Sequence, residues 1–193
     1  MRRVLLLLAV IATTALPAAA QDSEQPIKLR LVLDDAPSVG RKAPPLVLPY
    51  ATRSGVGPAG QPFTLARELG RVVVLVFYPG NFTAASTAEW RALKERAATL
   101  APEGVVVVGI STDSLASHVR FASELELPFK LLSDPDRAII QRYGVADGPR
   151  ARRAVVVVGA DGTVRYVDPA FAVLDPESYV HLAAEIRAAK ESR

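Results

Sequence analysis

The chain has 193 residues, half of them apolar, which allows one sizeable domain with a packed core and excludes disorder of the whole. It contains no cysteine, so disulfides, thiolate chemistry and thiol-ligated metals are excluded within it. The net charge of +3 falls to 21 basic against 20 acidic residues without Arg2 and Arg3, leaving no basic stripe of the kind nucleic acid requires.

The first residues, Met1-Arg2-Arg3, precede an apolar run from Val4 to about Ala12 and then Leu16-Pro17-Ala18-Ala19-Ala20. This order predicts a signal peptide over residues 1–20, cleaved near Ala20, and a periplasmic or secreted protein with no stable membrane anchor. Thr13 and Thr14 break the apolar stretch short of the ~20 residues that a span needs. Residues 21–38 are expected to form an extended arm, with alternation from Lys28 to Leu33, and residues 39–193 the domain proper. Leu46 to Tyr50 reads as a strand or half of a hairpin, and Gly57-Pro58-Ala59-Gly60 as a turn.

Val72 to Phe77 is a continuous β-branched run, the pattern of a strand buried on both faces, and Pro79 ends it. Trp90, Leu93, Ala97 and Leu100 recur at helical spacing and predict a helix from about Ala84 to Leu100, with Trp90 in core or rim packing. Val105 to Ile110 is a second buried strand. Ser111-Thr112-Asp113-Ser114 then supplies N-cap residues for a helix with Leu115, Val119, Ala122 and Leu125 on one face.

A short strand is expected at Phe129 to Leu132, followed by a brief helix capped by Asp134 or Asp136 and closed by Gly144. Ala154 to Val158 and Thr163 to Val167 flank Gly159-Ala160-Asp161-Gly162 as a hairpin. Asp175 and Pro176 open the last helix, with Tyr179, Leu182 and Ile186 inward. Strand, helix, strand, helix, hairpin, helix is the order of an α/β, thioredoxin-like fold: a central mixed sheet flanked by helices on both faces.

Phe77-Tyr78-Pro79-Gly80-Asn81-Phe82-Thr83-Ala84-Ala85-Ser86-Thr87-Ala88-Glu89 resembles the catalytic loop of the peroxiredoxins. Their motif is Pro-x-x-x-Thr-x-x-Cys, and Pro79, Thr83 and Ser86 fill its fixed positions in register. Val39-Gly40-Arg41-Lys42-Ala43-Pro44 is similar to the family's opening Gly-x-x-Ala-Pro. Gly109-Ile110-Ser111-Thr112-Asp113, Leu127 to Asp134 and Tyr143-Gly144-Val145 resemble its later motifs, closest to the bacterioferritin-comigratory and alkyl-hydroperoxide-reductase branch. The resemblance covers nearly all of the chain from Val39 onward.

It implies roles residue by residue. Pro79 would shield the sulfur, Thr83 would hydrogen bond sulfur and peroxide, Arg153 would lower the thiol pKa and polarise the peroxide, and Glu89 would orient Arg153. Ser86 stands where the peroxidatic cysteine belongs. A hydroxyl stays protonated near neutral pH and lacks the oxidation ladder of a thiolate. The family's thiol-dependent reduction of hydroperoxides should therefore be absent. What is expected to remain is a site for a small anion or peroxide-like ligand, or a surface for a homodimer or another protein partner.

An alternative is an enzyme in which Thr83 and Arg153 polarise a substrate oxygen without redox chemistry. A serine nucleophile would need a base, for which His118 and His181 are the candidates, read more simply as exposed helical histidines. No cofactor is implied. Two distant histidines supply too few ligands for zinc, and Asp134 and Asp136 are read as caps rather than as ligands of a hard cation. Arg150 and Arg152 are expected in solvent.

Overall fold

The β-branched run that begins at Val72 forms a strand through Phe77 in the computed structural model, which describes residues 36–192. All six of its side chains are buried. The signal peptide, the Lys28 to Leu33 alternation and nearly all of the arm lie outside the described residues.

The strands in chain order are β1 Val47–Leu48, β2 Tyr50–Thr52, β3 Gly55–Val56, β4 Phe63–Thr64, β5 Val72–Phe77, β6 Val105–Ser111, β7 Lys130–Ser133, β8 Ala146–Asp147, β9 Arg150–Ala151, β10 Ala154–Val158 and β11 Val164–Asp168. The helices are α1 Ala84–Glu95, α2 Ala97–Leu100, α3 Leu115–Glu124, α4 Ala138–Arg142 and α5 Pro176–Glu191. Seven strands make the main sheet in the order β11-β10-β5-β6-β7-β2-β3. β5, β6 and β7 run parallel and the other pairs antiparallel, so α1 with α2, and then α3, serve as crossovers.

The period of two along β5 divides the core. Val72, Val74 and Val76 pack with Trp90 and Leu93 of α1, Phe121 and Ala122 of α3, and Tyr179, Leu182 and Ile186 of α5. Val73, Leu75 and Phe77 face Ile139 and Ile140 of α4, Tyr143, and Leu48 and Phe63 of the β1–β4 ribbon. Helices thus lie on both faces, three long ones on one side and a short one on the other. At Gly109 on β6 a Cβ atom would stand 2.3 Å from the Trp90 ring and 2.7 Å from Leu131, so only glycine lets α1 settle on the sheet there.

Two elements divide where the sequence pattern runs on. The expected helix from Ala84 to Leu100 breaks at Arg96, whose backbone (φ −99, ψ 12) leaves the helical region while its N–H is shared between the Ala92 and Lys94 carbonyls. The Leu46 to Tyr50 stretch splits at Pro49, which has no N–H for a ladder. β1 on one side of it pairs with β4, and β2 on the other joins β7. Asp134 does cap α4, from a distance: its Oδ2 accepts from the N–H groups of Ile139 (3.0 Å) and Ile140 (2.9 Å). Among the described residues no helix is long and apolar enough to cross a membrane.

Candidate functional site

Tyr78 continues β5 by donating its N–H to the Ile110 carbonyl, and Pro79 then stops the ladder. Gly80 passes so close to Asp113 that a Cβ would meet Oδ2 at 2.9 Å, and the next N–H, that of Asn81, donates to the same oxygen at 2.9 Å. Phe82 turns the chain with φ +58, its ring edge-on to Phe121. Thr83 is the N-cap of α1, in extended conformation, and its Oγ1 accepts from the Ser86 N–H at 3.1 Å.

This loop and register bring the five predicted residues to one end of the sheet. The Thr83 hydroxyl donates to Ser86 Oγ at 2.8 Å. Ala154 is paired with Phe77, so Arg153 lies beside the end of β5. Its Nη2 donates to Ser86 Oγ at 3.3 Å and its Nη1 to Glu89 Oε2 at 2.5 Å. Ser86 and Glu89 are fully buried and the Arg153 side chain is 18% exposed, whereas Pro79 and Thr83 are half-buried. Arg150 and Arg152 are exposed, Arg152 bonding the Gly144 carbonyl.

Ser86 Oγ therefore accepts from two donors, one a full cation, in the first turn of a twelve-residue helix whose unpaired N–H groups add positive potential. The arrangement favours negative charge on an oxygen or sulfur at that place. Glu89 is held in the opposite sense: burial pushes its carboxyl up to about 7 against the pull of Arg153, and Oε1 has no hydrogen-bond partner.

His118 corrects the expectation of exposed helical histidines. It is fully buried on α3, and its partners are Asn81, Tyr78 and the Leu132 carbonyl, so it does not serve Ser86 as a base. His181 is exposed and lies near Glu185 at 3.6 Å. Sequence reasoning missed the polar group behind the loop, formed by Tyr78, Asn81, Ser111, Asp113, Ser117 and His118. A signal was present: His118, Ala122 and Leu125 lie at i, i+4 and i+7, the spacing of a buried helical face.

The described chain can be set beside known proteins. A family model described as "AhpC/TSA family" matches residues 39–167. The "Putative peroxiredoxin bcp" of Coxiella burnetii is 38% identical over 107 residues, which cover 55% of this chain and 66% of that protein. The chloroplastic peroxiredoxin Q of Sedum lineare is 35% identical over 111 residues, 56% of this chain and 60% of that one. The chain spans between about half and two thirds of the length of the curated relatives it matches. Among solved structures, the peroxidoxin BcpB of Mycobacterium tuberculosis superposes with a TM-score of 0.68 at 26% identity, over 79% of this chain and 97% of its own. The bacterioferritin comigratory protein of Xanthomonas campestris, whose description refers to its alkyl peroxide reduction activity, gives 0.65 at 25% identity, over 75% and 92%. The similarity bears out the α/β, thioredoxin-like fold expected from the order of elements.

Proposed function

The chain belongs to the AhpC/TSA family of peroxiredoxins, and from that premise we propose that it is a member without peroxidase activity that binds a small oxyanion or peroxide-like ligand at the start of α1. The observation that carries this reading is the convergence of Thr83 and Arg153 on the oxygen of Ser86, with no cysteine thiol anywhere in the chain. In the family reaction a thiolate attacks a peroxide oxygen. The S–O bond forms, the O–O bond breaks, the departing oxygen takes a proton, and external thiols later reduce the sulfenic acid. The serine hydroxyl performs none of these steps, but the donors that would stabilise the attacking anion are in place.

Ser86→Cys tests the reading. The altered chain should consume peroxide in a thiol-dependent way while the unaltered chain stays at the buffer blank. Adding Arg153→Met to Ser86→Cys should lower the gained rate by on the order of 10²-fold, the cost of removing one donor aimed at developing negative charge. Peroxide turnover by the unaltered chain would end the proposal, as would a Ser86→Cys chain that folds and does nothing. The alternative, polarisation of a substrate oxygen by Thr83 and Arg153, uses the same donors and is separated from binding alone by turnover of a bound ligand in the unaltered chain.

A further inference from the structure

The loop that sets the start of α1 is held from behind by a closed hydrogen-bond circuit. Asn81 is its hub. Its Oδ1 accepts from the Tyr78 hydroxyl at 2.8 Å, and its Nδ2 donates to Ser117 Oγ at 2.8 Å and to His118 Nδ1 at 3.1 Å. Its backbone N–H goes to Asp113, which also accepts from Ser111 Oγ at 2.9 Å and Ser117 Oγ at 3.1 Å. The Leu132 carbonyl, 3.2 Å from His118 Nε2, fixes the proton on that nitrogen and makes Nδ1 an acceptor.

We propose that His118 is a positioning residue for the Thr83–Ser86 helix start: neutral, it accepts from Asn81 and holds the Gly80–Phe82 turn, and protonated, it releases that turn.

A proton on Nδ1 sets an N–H against the Asn81 amide N–H. Turning the amide over would satisfy the ring but would face the Tyr78 hydroxyl with a donor and take the donor away from Ser117. The Tyr78 hydroxyl oxygen, 3.3 Å from Nδ1, can accept from the new N–H, but the Asn81 amide N–H at 3.1 Å cannot keep its place against it, so the Asn81–His118 contact is lost. Asn81 is two residues before the cap Thr83 and one before Phe82, whose φ of +58 is tolerated where the neighbouring turn is held. The charged and titratable groups facing His118 are Tyr78 from the end of β5 and Asp113 from the loop before α3; β7 contributes the Leu132 carbonyl. Burial pulls the histidine down to about 4, so the latch is closed at neutral pH and opens in acid. The idea goes beyond the ligand reading, since it concerns the empty protein.

The experiment follows the His118 ring and the backbone amides of residues 80–90 by NMR in the full chain, titrated from neutral pH to below pH 4. The Asn81, Phe82, Thr83 and Ser86 amides should shift with the His118 midpoint, while amides of α5 stay still. Asn81→Asp places a carboxylate against Nδ1 and should raise the His118 midpoint by more than one unit, with the amides following. His118→Phe should abolish the amide titration. Amides that still titrate in His118→Phe would assign the effect to Asp113 and overturn the proposal. Loop amides that ignore the His118 midpoint, or simultaneous loss of every dispersed amide, would also overturn it. If His118→Phe does not fold, the unaltered chain and Asn81→Asp decide alone. With no ligand present, a failure here leaves the Ser86 reading untouched.

Discussion

Glu89 is a carboxyl with no exposure and a single partner. One oxygen meets Arg153 and the other meets nothing, so the pair is held in a place where an uncompensated charge is expensive. Arg153→Met should therefore destabilise the protein by ~3 kcal/mol or more at pH 8, where the orphaned carboxylate must stay buried or take up a proton against the solution. At pH 5 the carboxyl is already protonated, because its folded pKa is about 7, and the loss should shrink to ~1 kcal/mol. Urea unfolding at the two pH values measures both, and equal losses would show that the pair carries no buried charge. The positions of Thr83 and Ser86 were legible through the motif, whose spacing is that of an N-cap followed by a first helical turn, and Arg153 with its pairing to Glu89 through the family resemblance alone. The burial of Glu89 was not, since its partner lies 64 residues away and only the antiparallel pairing of β10 with β5 brings the two together.

Helix α1 and strand β6 meet where a side chain is missing. Gly109→Ala would push a methyl group into the indole of Trp90 and the Leu131 side chain, neither of which has room to withdraw from a filled core. The expected cost is ~2 kcal/mol, read as a lower urea midpoint with unchanged slope; a neutral outcome would mean that α1 rides higher on the sheet than described. The long elements were legible because each carries a repeated pattern: six buried residues in β5, and the spaced Tyr179, Leu182 and Ile186 of α5. Of the two-residue strands in the β1–β4 and β8–β9 pairs, β1 falls inside the expected Leu46 to Tyr50 strand, whereas β4, β8 and β9 carry no pattern, being too short for any period to appear. The break at Arg96 also has no local mark, for Glu95-Arg96-Ala97 reads as ordinary helix.

Across the whole molecule, two of the strongly shifted groups near the loop, His118 and Glu89, titrate in acid and oppose each other there. For His118, lowered from 6.5 to about 4, the unfolded chain binds the extra proton between those values, so its share of stability is lost as pH falls through that window. For Glu89, raised from 4.5 to about 7, the folded chain binds the extra proton, so its share is lost as pH rises from 4.5 to 7. The two slopes have opposite sign between pH 4.5 and 6.5 and largely cancel. Glu89→Gln removes one of them. Relative to the unaltered protein, this variant should gain roughly 1 kcal/mol per pH unit as pH rises from 4.5 to 7, measured by urea unfolding across the range. A constant difference would rule out the raised carboxyl. Neither shift was legible in the chain, because both arise from depth in a core that forms only when segments up to 64 residues apart are assembled. One feature of that core gives the molecule a built-in optical probe. Trp90 is the chain's single indole, fully buried, edge-on to Tyr78, with its N–H unpartnered. Its emission colour and quenching thus report on the packing of α1 against the sheet, and any movement of α1 can be followed in the native chain without attaching a dye.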